Sequence, residues 1–279
     1  MKLNQFYIDN VIKMAIEEDI NYIDVAADYL IDDESRSDAY FIAKDSGVLA
    51  GLDVAIRVFQ LMDDTFTYKA FFKDGDIVND GDIIIEFNGY TSALLKAERT
   101  ALNLIQLLSG TATQTRRAVD IVKDYKACIV DTRKTIPGLR ALQKYAVTMG
   151  GGKNHRFNLS SAAMLKDNHI DASGGITNAV RKLRNKMGHL VCIEVETRTL
   201  EEVQEALDNN VEYIMLDNMD YDTMSKAVLM NNAKAVLEAS GGITLDTLKD
   251  VAKTGVDIIS IGALTHSVKA FDISMKIKN

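Results

Sequence analysis

A repeat of short apolar runs in the second half of the chain is the feature that most constrains its fold. Each run ends in polar, charged or glycine residues and is followed by a stretch with helical character. The six runs cover residues 127–130, 162–165, 190–195, 213–216, 235–237 and 258–261. Their ends lie 21–35 residues apart, as expected for strand–helix units on a parallel sheet. Six units predict an α/β fold, either an incomplete barrel or an open sheet.

The first hundred residues follow a different pattern and predict a mixed α+β module. Apolar residues with helical spacing occur over 8–16, and strands are predicted over 39–43, 66–72 and 83–87. A helix is predicted over 91–108, ending at Ser109 and Gly110, and a second helix over 111–125. We expect the domain boundary near these helices.

Composition narrows the class of protein and its location. Cys128 and Cys192 each lie inside an apolar run, so we expect buried thiols in a reducing compartment. The sequence shows no secretory signal pattern and no uncharged stretch of about 18 residues, so we expect a cytoplasmic protein without a membrane partner. The net charge of −8 argues against a nucleic-acid partner.

Charge is distributed unevenly along the chain. Residues 1–64 contain 14 Asp and Glu against 5 Lys and Arg, whereas residues 131–169 contain 7 Lys and Arg against 2 Asp. A solvated face is one explanation of such a basic region. The alternative is an anion site, because these cations stand beside Gly, Asn and His and do not form a helical stripe.

Ligands of parallel α/β folds gather at the carboxyl ends of the strands. We expect one site there, formed by the residues that follow the predicted strands: Arg133, Lys134, Lys166, Glu196, Asp217, Ser240 and Gly262. The segment Ser240-Gly241-Gly242 opens a helix and suits a phosphate, because its glycines allow close approach to backbone amides. Ile261-Gly262-Ala263 would supply a second phosphate loop.

Acidic and basic candidates complete the expected site. Glu194 and Glu196 share one face of a strand, where they form either a salt-bridge network with Lys166 or ligands for sugar hydroxyls and a phosphate-bound Mg²⁺. His155 and Arg156 follow a run of three glycines. Together with the other cations they suit a substrate that carries two carboxylates or phosphates.

Several long strings resemble the quinolinate phosphoribosyltransferase family. They are DTRKTIPGLR (131–140), KYAV (144–147), GGG (150–152), NHR (154–156), LKDNH (165–169), EVE (194–196), MLDNM (215–219) and SGGI (240–243). The resemblance implies an α+β open-sandwich domain over 1–110, joined by the segment 266–279, and an incomplete α/β barrel over 111–265. It implies a homodimer that uses Mg²⁺.

The resemblance also implies a reaction and a role for each residue. Quinolinate and phosphoribosyl pyrophosphate would give nicotinate mononucleotide, pyrophosphate and CO₂. The implied catalytic residues are Lys134, Lys166, Glu196 and Asp217. The implied substrate contacts add Thr132, Arg133, His155, Arg156 and, from the neighbouring subunit, Arg99. Phosphate would lie on Ser240, Gly241, Gly242, Ile261, Gly262 and Ala263, and Mg²⁺ on Glu196 and Asp217, directly or through water.

Three other functions stay open at this point. A paralogue could act on another pyridine or be associated with molybdate transport. A Schiff-base aldolase would use Lys166 at a strand end as its nucleophile. A non-catalytic sensor of a phosphorylated metabolite would keep the phosphate loop, but it has no need of the acidic pair.

Overall fold

The computed structural model describes residues 2–278, which form two compact units. The first unit comprises the chain up to Arg116, Thr135–Gly151 and the residues from Leu264 onward. The second unit comprises Arg117–Lys134 and Gly152–Ala263. None of the helices within 2–278 is both long and apolar enough to cross a bilayer.

Helices and strands alternate along most of the described chain. In order they are α1 (Gln5–Asp19), α2 (Ala27–Leu30), β1 (Arg36–Ala43), β2 (Gly47–Val48), α3 (Leu52–Met62), β3 (Thr67–Ala70), β4 (Ile77–Val78), β5 (Ile83–Tyr90), α4 (Thr91–Val122), β6 (Cys128–Val130), α5 (Arg140–Met149), β7 (Ala163–Leu165), α6 (Asp167–Ser173), α7 (Ile176–Arg184), β8 (Ile193–Thr197), α8 (Leu200–Asp208), β9 (Tyr213–Asp217), α9 (Tyr221–Asn231), β10 (Val236–Ser240), α10 (Leu245–Lys253), β11 (Ile258–Ser260), α11 (Ala263–His266) and β12 (Ile273–Ile277).

The first unit is built on a four-stranded antiparallel sheet in the order β12-β1-β5-β3. Its core contains four phenylalanines with neighbouring ring centroids 4.9–5.8 Å apart: Phe41, Phe59, Phe66 and Phe87. The predicted α+β module is confirmed, although β1 begins three residues before its apolar run. That extension is polar, and Arg36 there donates hydrogen bonds to Asn88 on β5 at 3.1 and 2.9 Å.

One helix stands where the sequence predicts two. The prediction of a break at Ser109 and Gly110 is wrong, because α4 continues through both residues. Ser109 bonds the backbone of Ala50. A Cβ at Gly110 would lie 2.2 Å from the carbonyl oxygen of Lys269, so this glycine allows another segment to pass close to the helix and does not end it.

The second unit contains six parallel strands in the order β6-β11-β10-β9-β8-β7. All six predicted strands are confirmed. Among the described residues, no backbone hydrogen bonds join the edge strands β6 and β7, so the barrel is open as predicted. Ile193 and Val195 are fully buried on one face of β8, while Glu194 and Glu196 take the opposite face.

The prediction that both cysteines are buried is wrong. Cys128 is half-buried and Cys192 is exposed. Cys128 is the first residue of β6, and Cys192 immediately precedes β8. Apolar runs bury their middle residues, whereas residues that enter a strand lie at the rim of the sheet.

Candidate active site

A cavity of about 450 Å³ lies in the second unit at the carboxyl ends of the parallel strands. Eleven of the predicted site residues line it together: Thr132, Arg133, Lys134, His155, Arg156, Lys166, Glu196, Asp217, Ser240, Gly241 and Gly242. Ile261, Gly262 and Ala263 are not among its lining residues, although Ile261 and Gly262 directly follow β11. Arg99 lies on α4 in the first unit, where it is exposed. The roles of these residues stay predictions.

Two arginines give the cavity a strongly cationic side. Arg156 donates hydrogen bonds to the carbonyl oxygen of Ala162 at 3.0 Å and to the Met164 sulfur at 3.4 Å. Burial and the neighbouring charge of Arg133 lower the pKa of Arg156. The buried Nε of Arg133 has no hydrogen-bond partner among residues 2–278. Like charges held this close favour an anionic ligand with several acceptor oxygens.

A pair of carboxylates faces the cavity from neighbouring strands. Glu196 ends the inward face of β8, and its Oε2 lies 2.7 Å from Nζ of Lys166. Asp217 is the last residue of β9 and accepts a hydrogen bond of 2.8 Å from the side chain of Asn218. The ion pair predicted as one alternative for Glu196 and Lys166 is therefore present. Lys166 remains about half exposed, so the same pair stays accessible to a ligand.

A glycine-rich turn forms the next part of the lining. Ser240 ends β10, and Gly241 and Gly242 adopt φ values of 98° and 59° before α10 begins. A Cβ at Gly241 would lie 2.2 Å from Oδ1 of Asn218. Only glycine therefore fits at position 241, both for its backbone conformation and for its closest neighbour. The turn leads into the amino end of a nine-residue helix, which favours a bound anion.

The floor of the cavity holds a group that the sequence analysis did not assemble. Nε2 of His155 lies 3.1 Å from Oε2 of Glu194 and 3.5 Å from Oε2 of Glu238. Burial and the charge of Glu194 raise the pKa of Glu238 to about 7, against the opposing effect of His155. Glu238 was missed because it directly follows the apolar run 235–237, and only Ser240, Gly241 and Gly242 of the stretch after that run were selected as site residues.

The cavity contains oxygen ligands that suit Mg²⁺. Glu196 and Asp217 offer carboxylates from adjacent strands, and hard oxygen donors are what this ion prefers. A second group within 4.8 Å consists of His155, Glu194 and Glu238. That group offers a nitrogen ligand, and its histidine already contacts both of its glutamates. Glu196 and Asp217 therefore fit Mg²⁺ better.

Fold and cavity together define a barrel-type α/β protein whose cavity has the charges and the glycine-rich turn that suit a multiply charged anion. The comparisons with known proteins make this class specific. Residues 24–109 match the family model of the quinolinate phosphoribosyl transferase N-terminal domain, and residues 111–276 match that of the C-terminal domain. The chain belongs to the quinolinate phosphoribosyl transferase family.

Individual relatives agree with that assignment over nearly the whole chain. A probable nicotinate-nucleotide pyrophosphorylase (carboxylating) of Bacillus subtilis is 44% identical, over 99% of this chain and 95% of the relative. A protein of Synechocystis sp. with the same name is 47% identical over 88% and 84%. The crystal structure of NadC from Streptococcus pyogenes is 40% identical and superimposes with a TM-score of 0.96 over 100% of both chains.

Proposed function

We propose that this protein transfers the phosphoribosyl group of phosphoribosyl pyrophosphate to quinolinate and releases CO₂. The quinolinate nitrogen forms a bond to ribose C1 while the bond from C1 to the pyrophosphate oxygen breaks. The C2 carboxylate then leaves as CO₂, its bonding electrons remain on the ring, and a proton replaces it. The products are nicotinate mononucleotide and pyrophosphate, a step in the biosynthesis of NAD.

One observation carries this proposal: a single cavity combines a cationic cluster, an acidic pair and a glycine-rich turn. Arg133, Arg156 and Lys166 supply positive charge for the two carboxylates of quinolinate, with His155 on the floor. Binding the dicarboxylate would also relieve the repulsion between the two arginines. Neither an aldolase nor a non-catalytic sensor would need all three of these groups in one cavity.

The acidic pair and the cations would both stabilise the transition state. Glu196 and Asp217 would bind the ribose hydroxyls and face the positive charge that develops at C1. They would also hold Mg²⁺, directly or through water, and the bound ion would neutralise charge on the departing pyrophosphate. Lys134, which is exposed at the cavity, would contribute a further cation there.

The glycine-rich turn would hold the 5′-phosphate through its backbone amides. Ser240, Gly241 and Gly242 line the cavity, and Ile261, Gly262 and Ala263 would supply the second phosphate loop. Gly241→Ala tests this role, because its Cβ must displace Asn218. We expect KM for phosphoribosyl pyrophosphate to rise about tenfold or more. Gly188→Ala is the control, since a Cβ there meets nothing within 4 Å.

The assignment is tested by measuring nicotinate mononucleotide and CO₂ with quinolinate or nicotinate, with and without Mg²⁺. We expect product only with quinolinate and Mg²⁺, whereas a preference for nicotinate would favour the paralogue. Arg133→Ala and Lys166→Ala should each lower kcat/KM by about 10²–10³-fold, as loss of a charged contact to the substrate does. Lys186→Ala, an exposed cation of the same unit, should retain activity. Near-normal turnover in either cavity variant would contradict its assigned role.

We also propose a cytoplasmic homodimer in which Arg99 enters the site of the neighbouring subunit. Its support is the exposure of Arg99 on α4 and the family resemblance. The names of the plant relatives place them in chloroplasts or mitochondria, so location varies among these proteins.

Mixed dimers test the position of Arg99. Arg99→Ala and Lys166→Ala are inactive by the proposal, but a hybrid dimer of the two would contain one intact site. After subunit exchange, half of the dimers are hybrids with one of two sites restored, so about one quarter of wild-type activity should return. No recovery in dimers shown to be hybrid would place Arg99 within its own subunit's site.

A further inference from the structure

A buried carboxylate beneath the substrate cavity has no role in the reaction described above. Glu238 lies in the middle of β10, with 1% of its surface exposed. Its Oε2 faces Nε2 of His155 at 3.5 Å, and its buried Oε1 has no hydrogen-bond partner among the described residues. An apolar side chain of similar size would fill this place without an unsatisfied oxygen. The carboxylate therefore costs stability, which indicates a functional reason for its presence.

The geometry around His155 suggests what that reason is. Glu194 on β8 and Glu238 on β10 approach the same ring nitrogen, and β9 lies between their two strands. The backbone N–H of His155 donates to Oδ1 of Asp131 at 2.9 Å, and Asp131 is fully buried. The side chain of Asn154 donates to the other oxygen of Asp131 at 2.6 Å. Backbone and ring are thus both anchored by acidic groups.

The His155 ring also lies at the boundary of two cavities. A second cavity of about 340 Å³ is lined by residues at the amino ends of the strands, such as Cys128 and Ile258. It shares His155, Arg156 and Glu238 with the substrate cavity. A ring in this position forms part of the floor under the substrate and borders open space below. Glu194 and Glu238 contact the ring at this boundary.

We propose that Glu238 is a positioning residue for quinolinate, acting through His155. Glu238 and Glu194 accept the Nε2–H of the imidazole, fix the ring in the cavity floor and favour its positive charge. A quinolinate carboxylate then meets an oriented cation. This inference rests on the proposed function only for the identity of the ligand.

The electrostatics of a buried site support this arrangement. Buried carboxylates within about 4 Å stabilise a cationic imidazole far more strongly than solvent-exposed ones do. Arg133 and Arg156 line the same cavity and oppose that charge, so two glutamates are a better match than one. With a pKa raised to about 7 by burial and by the charge of Glu194, Glu238 is only partly ionised at neutral pH.

The first test examines the free protein and does not depend on turnover. The sequence contains four histidines, so ring ¹⁵N signals of ¹⁵N-histidine-labelled protein can be assigned with His155→Asn. At pH 7 we expect His155 to carry a proton on Nε2 and to be largely cationic. Glu238→Gln should shift the ring toward its neutral form, whereas Glu201→Gln on α8 should leave it unchanged. An unchanged ring spectrum in Glu238→Gln would overturn the proposal.

The second test is a double-mutant cycle in the quinolinate assay. Glu238→Gln should raise KM for quinolinate about tenfold, as loss of one hydrogen bond to a charged group does, and leave KM for phosphoribosyl pyrophosphate within about twofold. In the His155→Asn background the same substitution should have no further effect. An equal rise in both KM values, or an undiminished effect without His155, would refute positioning. If the wild type does not use quinolinate, the proposed function fails while the ring spectra still decide the role of Glu238.

Discussion

Glu238→Gln should stabilise the fold, and the gain should grow with pH. Burial and the charge of Glu194 raise the pKa of Glu238 from 4.5 to about 7. In the unfolded chain this carboxyl ionises near its ordinary value. Between these values the unfolded state releases the proton and the folded state keeps it, so the native protein loses stability as pH rises. A glutamine has nearly the same shape and no proton to lose.

The size of the effect follows from the two pKa values. The difference between 4.5 and about 7 corresponds to about 3 kcal/mol of unfolding free energy once the pH exceeds both. At pH 5 less than about 1 kcal/mol of that loss has occurred. The unfolding free energy of Glu238→Gln relative to that of the wild type should therefore rise by about 2–3 kcal/mol between pH 5 and pH 8.

Urea unfolding at pH 5, 6, 7 and 8 measures this gain. The chain contains no Trp, so far-ultraviolet circular dichroism is the suitable signal. Glu17→Gln, an exposed substitution on α1, is the matched control and should follow the wild type at every pH. If the unfolding free energies of Glu238→Gln and the wild type stay parallel over this range, the carboxyl carries no ionisation cost in the folded state, and the reasoning is wrong.

Two packing predictions concern the first unit. Gly110→Ala should lower the unfolding free energy by about 1–3 kcal/mol despite the better helix propensity of alanine, because its Cβ would lie 2.2 Å from the Lys269 carbonyl oxygen. Thermal unfolding against Gly188→Ala checks this, and an unchanged or higher midpoint would show that the close approach is absent. Tyr145→Phe removes the 2.6 Å hydrogen bond to half-buried Asp74 and should cost about 1–2 kcal/mol in urea unfolding. A loss below about 0.3 kcal/mol would mean that solvent replaces the hydroxyl.

The parallel sheet could be predicted because its signals are local. Each of its strands is a short apolar run, and the next polar residue marks the carboxyl end. That rule alone brought Arg133, Lys166, Glu196 and Asp217 together, and all four line one cavity in the structure. The rule does not say how near two such residues come. Hence Ile261–Ala263 could be placed at a strand end but not in the cavity lining.

The wrong or missing predictions, in contrast, concern residues whose role depends on contacts with residues distant in sequence. Ser109 and Gly110 read locally as a helix end, but Ala50 and Lys269 explain both residues within a continuous helix. Glu238 gave only one local signal, an acid directly after an apolar run. Its partner His155 lies 83 positions earlier, and no periodicity connects the two.

The charged residues around the cavity of the second unit form a cationic layer and an acidic layer, and each layer stabilises the other. Arg133 and Arg156 repel one another beside the cavity, and burial together with this repulsion lowers the pKa of Arg156. Glu194 and Glu238 repel one another beneath it, and His155 lies against both. The acidic layer attracts the cations and so reduces the cost of holding them close together without a ligand. A dicarboxylate that binds the cationic layer would neutralise its remaining positive charge. The affinity for the substrate and the stability cost of Glu238 therefore have the same origin, the repulsion between like charges within each layer.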